Sequence, residues 1–231
     1  MATKTLTVAV CISNEVVLSD FVQPIEILAN INETHNPLTG DPVDVPFQVV
    51  FDYLAPTLDP IVSIAGPASA TFNPTKTYAE GMAMQYDILW VPAGPRLHSA
   101  TLMDRTPKEE LDFIRAQAPN AKYILSVCSG AIQLAMAGVL SGKRATTNKA
   151  FYNLITEAPG NAKDIKWVPK ARWVVDGNVW TSSGVSAGSD MALAFLEHLA
   201  GAKLARQVRN IVEIPEVSSG DDVFAGVHGL V

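Results

Sequence analysis

The sequence has few of the features that would place a protein on nucleic acid, in a membrane or in a disulfide framework. Only two cysteines, Cys11 and Cys128, occur in 231 residues, which excludes a disulfide scaffold and favours a reducing compartment. The 17 basic residues form no cluster and are outnumbered by 23 acidic ones, so nucleic acid and anionic membranes are poor partners. No apolar run reaches the ~20 residues of a membrane-spanning helix. We therefore expect a cytoplasmic protein with no nucleic-acid or membrane partner.

Sequence motifs for common cofactors are also missing. The chain contains no Walker loop, no GxGxxG after a strand, no HExxH and no CxxC, so we expect neither a cofactor nor a metal site. Histidine is scarce as well. Only His98, after the Pro92–Pro95 turn, is placed by the sequence where it could assist catalysis, and whether it reaches the site stays open. We interpret His198 as lying on a helix flank, and His35 and His228 as surface residues.

The composition indicates a compact fold with a large buried core. Hydrophobic residues make up 48% of the chain, and charged residues make up 17%, below the ~25% typical of soluble domains. Some of the remaining surface is therefore expected to be covered in an oligomer. The length favours one large domain over residues 1–231, with a core at about 5–201 and a C-terminal helix and tail at 202–231.

Segments with strand periodicity alternate with segments of helical periodicity. Predicted strands cover residues 6–12, 47–54, 86–91, 122–127 and a hairpin at 172–182. Predicted helices begin at residue 23 and at residue 107, where Thr106 provides a cap, and cover 130–137, 188–200 and 202–212. This alternation predicts an α/β domain with a mostly parallel sheet and helices on both faces. The Gly/Ser/Asp-rich tail to residue 231 is predicted to be loosely ordered or docked on a partner.

A cysteine lies at the join between a buried strand and a helix, in the segment SVCSG at residues 126–130. This layout is that of a nucleophile elbow, in which a strained turn raises the side chain above the edge of the sheet. The open N–H groups of the following helix predict a pKa for Cys128 below the ~8.5 of a free thiol. The alternative is a small buried hydrophobe. That alternative is favoured for Cys11, which lies in the middle of a strand.

A thiolate that attacks an unsaturated carbon needs a proton source and donors for the developing charge. Asp20 ends the first strand-to-helix loop on the same sheet edge, where burial and a nearby thiolate would raise its pKa and keep it protonated. The local sequence fits a helix cap equally well. The backbone N–H groups of Ser129 and Gly94 are the candidate donors for the developing charge.

These motifs resemble the ThiJ/PfpI superfamily, which includes the Parkinson-disease-associated deglycase, the PfpI proteases and the isocyanide hydratases. The resemblance covers residues 5 to about 201. It rests on Asp20 and Pro24, the Pro92-Ala93-Gly94 turn, SVCSG, GKRATT at 142–147, the DGN hairpin and TSSGVSAG at 181–188. Within the superfamily the chain looks most like the isocyanide hydratase branch, whose members have a hydroxyl residue after the cysteine.

The resemblance implies a flavodoxin-like, class I glutamine amidotransferase-like sandwich and a homodimer. It also implies a cofactor-free reaction in which Cys128 attacks the terminal carbon of a small isocyanide and Asp20 supplies the proton. Water then releases an N-substituted formamide. Ser129 is expected to hydrogen-bond the acid, and Ser183, Gly184 and Asn148 are expected to line the pocket.

Two departures from the family pattern narrow the possible activities. Protease-type members carry histidine after the cysteine, where this chain has Ser129, and other members carry histidine at the position of Asn148. A peptidase or a Cys/His glyoxalase is therefore disfavoured. Two alternatives to a hydratase remain open. One is a redox-sensing stress protein whose Cys128 oxidises to sulfinic acid, and the other is glyoxalase or deglycase activity.

Overall fold

The computed structural model describes residues 4–35, 39–45, 47–66, 68–95, 105–158 and 163–231. The strands within these ranges are β1 (Lys4–Cys11), β2 (Phe47–Ala55), β3 (Ile61–Val62), β4 (Thr71–Phe72), β5 (Lys76–Thr77), β6 (Ile88–Val91), β7 (Tyr123–Ser126), β8 (Arg144–Ala145), β9 (Lys166–Trp167), β10 (Trp173–Asp176) and β11 (Val179–Ser182). The helices are α1 (Val22–Ala29), α2 (Tyr78–Gly81), α3 (Lys108–Gln117), α4 (Ala131–Met136), α5 (Tyr152–Thr156), α6 (Val185–Ala200), α7 (Ala202–Val212) and α8 (Phe224–Val227).

A seven-stranded sheet in the order β10-β11-β7-β6-β1-β2-β5 forms the centre of the molecule. Every neighbouring pair in it is parallel except the β10–β11 hairpin. Two small two-stranded sheets, β3-β4 and β8-β9, lie outside it. The carboxyl ends of β1, β6, β7 and β11 therefore meet at one edge, which is where ligands bind in open α/β sheets.

Hydrophobic clusters cover both faces of this sheet. Alternate residues of β1 point to opposite sides, because side chains alternate along a strand: Val8 and Val10 pack into one cluster, and Ala9 and Cys11 into the other. The first cluster includes apolar residues of α1, α6 and α7, and the second includes those of α3 and α4. The predicted α/β fold, with a mostly parallel sheet between helices, is confirmed.

Three local expectations were wrong. Helix α6 begins at Val185, before the predicted residue 188. Helix α3 has Pro107 at its N-cap with no side-chain hydrogen bond, so Thr106 does not close a capping box. The tail is not loose but packs on its own chain: the N–H of Arg172 donates to the carbonyl of Ser219 at 2.7 Å, and Asp222 is buried.

Candidate active site

Cys128 lies at the turn between β7 and α4, in a 3₁₀ turn that covers Cys128–Gly130. Its backbone has a φ of +60°, a left-handed conformation that costs a non-glycine residue about 1–2 kcal/mol. Tertiary hydrogen bonds hold this conformation: the N–H of Cys128 donates to the Ser183 carbonyl at 2.7 Å, and the Thr147 hydroxyl donates to the Cys128 carbonyl at 2.9 Å. The predicted nucleophile elbow is present.

The sulfur of Cys128 is buried among hydrogen-bond donors. The side-chain amide of Asn148 donates to Sγ from 3.2 Å, and both the N–H and the hydroxyl of Ser129 interact with the sulfur. Burial nevertheless raises the pKa of the thiol to about 12, and the negative charge of nearby Asp20 adds to the rise. The expectation of a lowered pKa was wrong, because desolvation outweighs the donors. The thiol is protonated at neutral pH.

Asp20 ends a 3₁₀ turn, Leu18–Asp20, directly before α1 and is completely buried. Its Oδ2 accepts a hydrogen bond from the N–H of Ala93 at 3.1 Å, while Oδ1 has no hydrogen-bond partner among the described residues. Burial raises the pKa of this carboxyl to about 7, although the Ala93 N–H opposes the rise. Asp20 can therefore accept or donate a proton near neutral pH. It is not a cap of α1, whose N-cap is Phe21.

The supporting residues differ in part from expectation. The hydroxyl of Ser129 interacts with the sulfur of Cys128, and the hydrogen bond expected between Ser129 and Asp20 is not formed. In the turn after β6, Ala93 donates to Asp20, whereas Gly94 contributes close packing: a Cβ at Gly94 would lie 2.6 Å from Nε2 of Gln133. The role of Gly94 as a donor to the developing charge stays a prediction, and the contact of Ala93, in the same predicted turn, with Asp20 was not expected.

A cavity of about 360 Å³ lies beside the elbow. It is lined by Asn148, Lys149, Ala150, Arg172, Ser183, Gly184, Val185, Ser186, Ala187, Asp222, Phe224 and His228. The three residues expected to form the pocket, Asn148, Ser183 and Gly184, are thus brought together. No sequence pattern indicated that the tail contributes to this cavity, and His98 lies outside the described residues.

A buried ion pair joins the cavity wall to the residue next to Asn148. Nζ of Lys149 lies 3.2 Å from Oδ2 of Asp222, and both side chains are almost completely inaccessible to solvent. Lys149 also donates to the Thr146 hydroxyl at 2.6 Å. Burial lowers the pKa of Lys149, and Asp222 opposes that change. Asn148 itself is oriented by the N–H of Ala150, which donates to its Oδ1 at 2.9 Å and leaves Nδ2 for the sulfur.

The described residues contain no group of three or more His, Cys, Asp or Glu side chains placed to hold a metal ion. None of the helices in the same ranges is both long enough and apolar enough to cross a membrane.

The sequence profile of the DJ-1/PfpI family matches residues 6–198. The chain belongs to the DJ-1/PfpI family. The family was already indicated by the resemblance of its motifs, and that identification is confirmed. The matched region contains Asp20, the Pro92–Gly94 turn and the elbow, and it ends near the end of α6.

Known relatives are similar to this chain at moderate sequence identity. The isonitrile hydratase of Pseudomonas putida is 35% identical over 150 residues, which cover 64% of this chain and 60% of that protein. A Parkinson disease protein 7 homolog from Danio rerio is 29% identical over 124 residues, which cover 54% of this chain and 61% of that protein. The chain thus spans about three fifths of the length of these two relatives.

Solved structures of the family share the fold. A ThiJ/PfpI family protein from Pseudomonas syringae superposes with a TM-score of 0.68 at 25% identity, covering 100% of this chain and 85% of that one. Drosophila melanogaster DJ-1beta superposes with a TM-score of 0.70 at 19% identity, covering 92% of this chain and 100% of that one. At that identity the second likeness shows the fold alone.

Proposed function

We propose that this DJ-1/PfpI protein is a cofactor-free hydratase that converts isocyanides into N-substituted formamides. The observation that carries the proposal is the placement of two buried groups near each other, the thiol of Cys128 and the carboxyl of Asp20, whose pKa is raised to about 7 by burial. Among the described residues, Asn148 and not a histidine contacts the sulfur. The 35% identity with an isonitrile hydratase supports the choice of substrate class.

In the first step the sulfur of Cys128 attacks the terminal carbon of the isocyanide. The S–H bond breaks, and the carboxylate of Asp20 takes the proton. A C–S bond forms, and Asp20 returns the proton to the same carbon, which gives a thioimidate, R–N=CH–S–Cys128. A carboxyl with a pKa near 7 suits both transfers, because it gains and loses a proton readily at neutral pH. Asn148 Nδ2 and the Ser129 N–H stabilise the negative charge that develops on sulfur.

In the second step water adds to the carbon–nitrogen double bond of the thioimidate. Asp20 accepts a proton from this water and passes it to the nitrogen, which gives the tetrahedral intermediate R–NH–CH(OH)–S–Cys128. The C–S bond then breaks, the hydroxyl proton passes through Asp20 to the released thiolate, and R–NH–CHO leaves. Water is the only co-reactant, and the protein returns to its starting state.

The site disfavours the two alternative activities. A glyoxalase that uses a Cys/His pair is disfavoured, because among the described residues Asn148, not a histidine, contacts the sulfur of Cys128. At rest, burial raises the pKa of Cys128 to about 12 and disfavours the thiolate that oxidation to sulfinic acid requires, whereas in the hydratase reaction Asp20 takes the proton as the C–S bond forms.

The test is formamide production from phenyl isocyanide by the wild-type protein and by two variants, Cys128→Ala and Asp20→Asn. Loss of the nucleophile or of the proton carrier should reduce kcat by about 100-fold or more. Cys11→Ala is the matched control, since Cys11 is a buried thiol outside the site. Absence of turnover in the wild type, with Cys128 still open to alkylation, would contradict the proposal.

The pH dependence of the same reaction provides a second check. The reactive form has one proton shared between Cys128 and Asp20, so kcat/KM should rise with pH through an apparent pKa near 7. A kcat/KM that does not change between pH 5 and pH 9 would contradict the role of Asp20 in the proton transfer.

A further inference from the structure

The cavity beside the elbow is placed to receive the part of the substrate that does not react. Asn148 connects the reacting sulfur to the cavity, since its Nδ2 lies 3.2 Å from Sγ of Cys128 and its side chain lines the cavity. Ser183 lines the cavity as well, and its carbonyl accepts the N–H of Cys128. An isocyanide whose terminal carbon meets the sulfur has its N-substituent directed away from that carbon, and the cavity is the neighbouring space.

One wall of this cavity comes from the C-terminal segment 218–231. Asp222, Phe224 and His228 line the cavity, and all three lie beyond residues 6–198, the region that matches the DJ-1/PfpI profile. The elbow and the acid are therefore encoded in the shared region, while this wall is added by residues outside it.

The wall is fixed in place by buried polar contacts. Oδ2 of Asp222 pairs with buried Lys149, and Oδ1 accepts the N–H of Phe224 at 2.9 Å. Ala225, the next residue, is completely buried. The backbone of Phe224 is thus held at the N-terminal end of α8 by the same carboxylate that binds Lys149.

The cavity favours an apolar substituent. Its charged side chains are already paired, Lys149 with Asp222 and Arg172 with Asp190. Phe224 and Val185, in contrast, are apolar and leave 48% and 39% of their surface exposed. Such exposed apolar surface gains stability when a ligand covers it. The volume of about 360 Å³ falls in the range of small-molecule pockets, about 300–1,000 Å³.

We infer that segment 218–231 forms a specificity wall, and that Phe224 favours isocyanides with a bulky apolar N-substituent such as benzyl. The inference rests on the proposed function for the reaction, but the geometry of the cavity gives it a separate test. Phe224 acts through contact with the substituent and takes no part in bond formation.

The first experiment compares kcat/KM for benzyl isocyanide and methyl isocyanide in the wild type and in Phe224→Ala. The ratio of benzyl to methyl should fall about 10-fold, since removing apolar contact from a pocket changes discrimination by that order. Val227→Ala is the matched control, because Val227 is an exposed apolar residue of α8 outside the cavity lining. An unchanged ratio in Phe224→Ala would overturn the inference.

A second experiment separates the inference from the proposed reaction. In a Cys11→Ala background, intact-mass measurements follow the alkylation of Cys128 by N-benzylmaleimide and by N-methylmaleimide. Phe224→Ala should lower the benzyl-to-methyl rate ratio, and Val227→Ala should leave it unchanged. If the wild type hydrates no isocyanide and this ratio still falls, the proposed function is wrong and the inference of a specificity wall is supported. If the ratio does not change, that inference is overturned, whether or not the protein hydrates isocyanides.

Discussion

At the scale of single residues, Glu110 is a second buried carboxyl that the proposed reaction does not use. It lies on α3, on the opposite side of the sheet from Asp20, and is almost inaccessible to solvent. Burial raises the pKa of Glu110 to about 7, and interactions with Ser13, Gln133 and Tyr78 oppose the rise. The side-chain amide of Gln133 also donates to the carbonyl of Pro92 at 3.3 Å, so this cluster lies behind the turn that holds Asp20.

Glu110→Gln should reduce the loss of stability that accompanies a rise in pH from about 4 to 8. The folded state holds the Glu110 proton more tightly than the unfolded chain, in which the pKa is ~4.3, so this group lowers the free energy of unfolding as pH rises from there to about 7. The loss reaches at most about 4 kcal/mol by pH 8. Denaturant unfolding at pH 4 and pH 8 measures it.

The control for this measurement is Glu109→Gln, because the neighbouring Glu109 is exposed. It should keep the pH dependence of the wild type, whereas Glu110→Gln should show a smaller decline between the two pH values. Equal declines in the two variants would contradict the account of Glu110.

The sequence indicated which residues form the candidate site better than it indicated their protonation. Asp20 and Cys128 could be predicted together because both follow strands whose carboxyl ends share one sheet edge. The raised pKa of Cys128 could not be predicted, because the local sequence shows the N–H groups of the following helix but does not show how deeply the thiol is buried. Glu109 and Glu110 show the same limit: they are adjacent and identical, yet only the second is buried.

At the scale of secondary structure, the elbow depends on a close approach between two segments. Gly130 lies against the end of β6, where an added Cβ would be 2.2 Å from the carbonyl oxygen of Val91 and 2.8 Å from that of Pro92. Both neighbours are backbone atoms, which have little freedom to move. A side chain at position 130 would therefore separate the elbow from the turn that binds Asp20.

Gly130→Ala should destabilise the protein by about 3 kcal/mol, the upper end of the range for overpacking, and should abolish turnover. Gly226→Ala is the control, because a Cβ there meets nothing within 4 Å. Thermal unfolding and formamide production test both variants. A folded, fully active Gly130→Ala protein would show that the elbow tolerates displacement.

A local sequence pattern is not enough to predict whether a helix cap forms. Residues 77–80 and 106–109 both have a threonine three residues before a glutamate. The first forms a complete capping box at α2, whereas the second does not, because α3 begins at Lys108 with Pro107 as its N-cap. The pattern is necessary for the box, but the path by which the chain enters the helix decides whether it forms.

At the scale of the whole molecule, the alternation of strands and helices predicted the central sheet, whereas the position of the tail was not predictable. The sheet follows from regular periodicity in each segment. The tail is held by the contact between Lys149 and Asp222, which are far apart in sequence. A polar, glycine-rich segment carries no local sign of such a contact.

The homodimer stays a prediction, which sedimentation equilibrium would test. A low charged fraction, 17%, leaves apolar side chains on the described surface, including Val50, Leu58 and Met82. Burial of such groups between two copies would stabilise a dimer. The measured mass should be twice the 24.7 kDa of one chain. A mass of 24.7 kDa across the micromolar range would contradict the prediction.

The ion pair between Lys149 and Asp222 also limits which C-terminal segments could replace the present one during evolution or in a chimaeric protein. A tail exchanged with that of a homologue would replace Phe224 and leave the elbow intact, so new substrate preferences could arise through a short terminal change. The incoming segment must carry a carboxylate at the position of Asp222. Without it, a lysine ammonium would remain buried with no counterion, at a cost of about 3–5 kcal/mol.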